Sequence, residues 1–101
     1  MLTSKQRAFL RGLANPLDCQ LHIGKADMGD TIVQSLEDLL SSRELVKVSV
    51  LKSAVSPIGE IANGLAEAVG AEVVQVIGRK FVVYRRSDKL AKEGRSLQLP
   101  R

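Results

Sequence analysis

Cys19 and His22 are the only cysteine and the only histidine in the chain, and they stand in a C-x-x-H spacing. A zinc site draws on that spacing, but it needs four ligands, and no second Cys/His pair exists. Cys19-Gln20-Leu21-His22-Ile23 alternates as a half-buried strand does. On a strand, residues three apart project to opposite faces, so the pair cannot work as thiol and base either. Cys19 reads as a small core residue and His22 as an ordinary strand residue. A serine nucleophile has only His22 available as its usual base. No catalytic residue, metal, cofactor or small-molecule substrate is predicted, and the chain does not read as an enzyme.

Gly24 and Gly29 have the spacing of the two glycines in a phosphate-binding loop. That loop continues with Lys and Ser/Thr; here Asp30 and Thr31 follow, and an aspartate at the lysine position repels phosphate. Nucleotide hydrolysis is rejected on that ground. A glycine-bearing loop that opens onto a helix still offers backbone N–H groups and a positive dipole end to an anion, and Lys25 adds charge. A plain strand-to-helix connection explains the same loop.

The basic residues are more informative. The chain carries 15 Lys and Arg against 11 Asp and Glu, a net charge of +4. Residues 78–101 hold 8 basic and 2 acidic residues, and residues 1–77 hold 7 and 9, so the positive excess lies entirely in the last quarter. One-ended basic asymmetry points to an anionic partner, nucleic acid first; a solubilising tail accounts for it equally well. Arg79 and Lys80 fall at a hairpin tip, and Arg85 and Arg86 end its second strand. Arg7 and Arg11 share a helix face without acidic partners four residues away, where like charges cost a few tenths of a kcal/mol. With only Phe9, Phe81 and Tyr84 as aromatics, base stacking on an aromatic sheet is poorly supplied, so backbone and shape contacts should dominate any RNA complex.

The elements that must position these residues follow from periodicity. Thr3-Ser4-Lys5-Gln6 fits a capping box. The helix it opens turns Phe9, Leu10 and Leu13 to one side and stops at Asn15-Pro16. A strand over 19–23 is followed by a second helix capped by Asp30 or Thr31, with Ile32, Val33, Leu36, Leu39 and Leu40 on one face. Residues 45–51 alternate as a strand. Ser56-Pro57 starts a third helix, with Ile58, Ile61, Ala62, Leu65 and Val69 inward and Gly70 as its stop. Strands over 73–77 and 81–85 flank a tight glycine turn at Gly78. Residues 87–101 lose periodicity and read as a mobile or loosely docked tail. The predicted class is α/β, in the order α-β-α-β-α-β-β, with a mixed four-stranded sheet covered by helices.

Length and composition agree. At 101 residues with 45% apolar content there is one core and one domain. No apolar run reaches the roughly 18 residues of a membrane span. A single cysteine, with no signal-peptide pattern at the N-terminus, fits a cytoplasmic location.

These residues, in this order, resemble the CRM domain family and its stand-alone YhbY-like bacterial members. The matching pieces begin with Leu2-Thr3-Ser4-Lys5-Gln6-Arg7, Arg11-Gly12-Leu13-Ala14-Asn15-Pro16-Leu17 and Ile23-Gly24-Lys25. They continue through Glu44-Leu45-Val46-Lys47-Val48, a run from Val74 through Gly78-Arg79-Lys80 to Arg85, and the ending Leu97-Gln98-Leu99-Pro100-Arg101. The resemblance implies a fold akin to the C-terminal domain of a bacterial translation initiation factor. It also implies RNA binding without catalysis, on precursors of the large ribosomal subunit, as an assembly factor. The family carries a G-x-x-G loop after its first strand; here Asp27 stands where the second glycine belongs. The expectation is a single RNA-binding domain over 1–86 and a basic flexible tail over 87–101, acting as a monomer. The RNA-binding residues are Gly24, Lys25, Arg79, Lys80 and Arg85 by position in the family, with Arg7, Arg11 and Arg86 added from the charge pattern. A protein-interaction module on ribosomal particles, with only non-specific RNA affinity, is the competing expectation.

Overall fold

A computed structural model describes residues 2–24, 29–51 and 57–100. The elements are α1 (Ser4–Ala14), β1 (Leu21–Ile23), α2 (Asp30–Arg43), β2 (Leu45–Val50), α3 (Ile58–Val69), β3 (Glu72–Ile77), β4 (Lys80–Tyr84) and α4 (Asp88–Lys92). The first seven follow the expected order.

The helix boundaries show which local signals act. The capping box at Thr3 is formed: Thr3 Oγ1 accepts from Gln6 N, and Gln6 Oε1 accepts from Thr3 N. The α2 cap differs from expectation. Gly29 is the N-cap, with no side-chain cap bond, and Asp30 is already helical, its carboxylate in the first turn against the positive end of the dipole. Pro57 is the cap of α3 rather than its first residue, and Ser56 lies outside the described residues. Gly70 closes α3 at φ 68, in the left-handed region where a Cβ is penalised. β1 is shorter than predicted and leaves Cys19 before the strand.

The sheet order is β1-β2-β4-β3. β1 pairs parallel with β2, β2 antiparallel with β4, and β4 antiparallel with β3. A mixed sheet results because α2 returns the chain parallel after β1, whereas Gly78-Arg79 reverses it tightly, with Gly78 at φ 58. A register shift between Val73 and Gln75 bulges β3.

Alternation sends the two faces into separate cores. Ile23, Val46, Val48, Phe81 and Val83 pack under Leu36 and Leu40 of α2 and Ile61 and Leu65 of α3. On the opposite face Leu45, Val82 and Tyr84 meet Leu10 and Ala14 of α1, with Leu97 and Leu99 laid beside them. That last contact, together with α4, is absent from the sequence reading of 87–101. Leu90 is buried, Ser87 caps α4 by accepting from Leu90 N, and Arg95 N donates to Leu90 O at 2.8 Å. The segment docks because Glu44, fully buried at the end of α2, accepts from Ser87 N at 2.6 Å, Ser96 Oγ at 2.7 Å and Leu97 N at 2.7 Å. Glu44 holds φ 65 without being glycine, a strain of about 1–2 kcal/mol that three charge-assisted bonds offset.

Candidate nucleic-acid interface

Three chain segments meet at one end of the sheet. Leu51 N donates to Ile23 O and Val50 N to Arg79 O, both at 2.7 Å, so the ends of β1 and β2 and the β3–β4 turn share one rim. This rim brings Gly24, Arg79 and Lys80 together. Lys25, next along the chain from Gly24, lies outside the described residues, as does Asp27. Arg79 clamps the rim: its Nε donates to Val50 O at 3.1 Å and its Nη2 to Leu51 O at 2.6 Å, while the residue stays exposed. Lys80 is exposed and pairs with no other described residue.

Behind the rim, part of a sheet face is left uncovered by the described residues. α1 ends at Ala14, and Leu17 N folds back onto Ala14 O at 3.0 Å as the chain turns at Pro16. Strand alternation places His22, Ser49, Lys80 and Ile77 in one row beyond that end, in direct register. His22 and Lys80 are exposed, and Ile77 is 61% exposed. The β3 bulge sets both Val74 and Gln75 toward this side: Val74 joins the α1 core, and Gln75 borders a cavity of about 90 Å³ with Asn15, Lys47, Ile77 and Lys80. Among the described residues no carboxylate lines it. Lys47 Nζ donates to Ala14 O at 3.4 Å, Asn15 O at 3.4 Å and Leu17 O at 3.2 Å. A cation therefore sits on the negative end of α1, beside the cavity.

The other basic positions are placed differently. Arg85 lies at the opposite end of β4 and is half-buried. Its guanidinium meets Glu37, donates to Val69 O at 2.9 Å and reaches Ser41 Oγ at 3.1 Å, tying β4 to α2 and α3. Arg86, beside it, is exposed, with Asp88 at 3.5 Å. Arg7 donates to Val73 O and thereby pins α1 to β3. Arg11, one turn on, is exposed and pairs with no other described residue. Tyr84 closes this far end; its burial, then the Glu44 carboxylate, raise its phenol pKa above the ordinary 10.0. Among the described residues no three His, Cys, Asp or Glu side chains gather in metal-binding fashion.

Asn15, Lys47 and Gln75 are absent from the sequence reading of the site. The alternation of Leu45, Lys47 and Ser49 carried a signal, because it marks a strand face that turns polar halfway along. Gln75 had none: its outward aim depends on the bulge.

The CRS1 / YhbY (CRM) domain family matches residues 2–85. The chain is 35% identical over 100 residues to the "Probable RNA-binding protein YqeI" of Bacillus subtilis, covering 99% of this chain and 100% of that one. It is 32% identical to an "RNA-binding protein" of Haemophilus influenzae, covering 99% and 96%. A Staphylococcus aureus protein solved in solution superposes with a TM-score of 0.79 at 39% identity, covering 99% of this chain and 100% of that one.

Proposed function

The chain belongs to the CRS1 / YhbY (CRM) domain family, and from that premise we propose that it binds RNA, without catalysis, as an assembly factor on precursors of the large ribosomal subunit. Full-length similarity to relatives that carry RNA binding in their names is the observation that carries this reading. The rim of Gly24, Arg79 and Lys80, extended by the open sheet face and by Arg11, is the proposed contact surface. Lys25 belongs to it by its place in the chain. Lys80 and Arg11 are exposed and bring charge that no described carboxylate neutralises, which favours phosphate contacts. Arg7 and Arg85 support binding by holding α1 and β4 in place; Arg86 is a peripheral contact. The protein acts as a monomer in the cytoplasm.

The test is binding of the purified protein to fragments of large-subunit ribosomal RNA across a salt series. Each neutralised phosphate contributes a log–log slope of about −0.7 to −0.9. Co-sedimentation with precursor large subunits checks the assembly role. Weak binding, indifferent to the RNA used, with no association with those particles, favours a protein-docking module instead.

A further inference from the structure

We propose that the cavity between the end of α1 and the β3–β4 hairpin seats one unstacked nucleobase of a bound RNA strand, with Lys80 on the adjoining phosphate. This rests on the RNA-binding reading and specifies what part of an RNA the site reads.

Four features of the cavity select that occupant. The first is size. A volume of about 90 Å³ is several times the roughly 10–15 Å³ that admits one water, room for one planar ring whose sugar stays outside. The second is its lining. Ala14, Ile77 and Val82 are apolar members of its lining, and Asn15 and Gln75, which carry side-chain amides, also border it. Each amide offers a donor and an acceptor, the combination that the hydrogen-bonding edge of a base requires. The third is charge. Lys80 stands at the mouth without an acidic partner among the described residues. Lys47 occupies the carbonyls at the end of α1, so the pole of the helix that would repel a phosphate is already neutralised. The fourth is access. The cavity borders the exposed Ile77 and Lys80, on the part of the sheet face that no described residue covers. A duplex does not fit, because its bases are stacked and paired; a loop or single strand does. Phe81 borders the cavity but is 1% exposed and packs into the core on the other face of the sheet, so its ring offers no stacking platform here, and the seat reads the edge of a base rather than its face.

The experiment compares short single-stranded homopolymers of U, C and A, and an abasic version of the best binder, against the wild-type protein, Gln75→Ala and Lys80→Ala. The wild type should prefer one base and lose about tenfold in affinity for the abasic strand. Gln75→Ala should flatten the preference and leave the salt slope unchanged. Lys80→Ala should weaken all strands alike and reduce the slope by about 1. A second measurement does not depend on any variant: nucleoside monophosphates titrated into the wild type should shift the side-chain amide resonances of Asn15 and Gln75. Equal affinity for intact and abasic strands, with those amides unmoved and the Lys80→Ala loss intact, overturns the base seat and leaves RNA binding standing. No binding of any strand by the wild type overturns both.

Discussion

The buried Glu44 carboxylate accepts the Leu97 backbone N–H at 2.7 Å, joining residues 53 apart in the chain. The same carboxylate holds Ser87 N and Ser96 Oγ, so one side chain ties three points of the segment after β4 to the turn between α2 and β2.

Glu44→Ala should therefore cost about 2–4 kcal/mol in urea denaturation, because it strands buried donors and keeps the strained backbone. Glu44→Gly loses the same bonds but relieves the positive φ, so it should be less damaging than Ala by about 1 kcal/mol, the reverse of the usual order. Trypsin should cut both variants faster at Lys89, Lys92 and Arg95. Equal loss in the two variants would show that the backbone at residue 44 is unstrained.

Lys80 and Arg85 sit at opposite ends of β4 and should behave oppositely. Arg85→Ala removes bonds to α2 and α3 and should lower stability by about 1–3 kcal/mol. Lys80→Ala should leave the melting temperature unchanged and weaken RNA binding, most at low salt. Thermal melts beside anisotropy titrations separate the two effects.

Tyr84 is the only tyrosine, and the chain has no tryptophan, so phenolate absorbance reports one residue. Its native pKa is raised above 10.0 by burial. The native state therefore keeps a proton that the unfolded chain releases. This contribution to stability is fully present below pH 10.0 and is lost as the pH rises through the native value. Titration of the folded protein should give a midpoint above that of the urea-unfolded protein; coincident midpoints would contradict the burial.

Gly70 has open space where a Cβ would lie, at φ 68. Gly70→Ala should cost about 1 kcal/mol through backbone strain alone, with no rearrangement of neighbours. Denaturation curves with unchanged slope and a lower midpoint would show this.

The order of the first seven elements was legible because each has a periodic stretch long enough to count: Leu36 and Leu40 one turn apart, Val46, Val48 and Val50 in alternation. α4 spans five residues, too few to establish a period, and Leu90 is its one buried side chain. Glu44 looked like any surface charge, because its donors lie 43 to 53 residues away. The basic residues were legible as charge but not as roles. Nothing local distinguishes Arg85, whose guanidinium is turned into the fold, from Lys80, whose ammonium faces outward. That difference arises from which end of β4 each occupies and what packs there.

Pro16 has a consequence that reaches past its own turn. A helix continued for one more turn would advance about 5.4 Å across the strands and roof over much of the row holding Ser49 and Lys80. The width of the aperture offered to a partner is thus governed by a stop signal outside it. A change at Pro16 alone would resize that window while every residue inside it stayed the same.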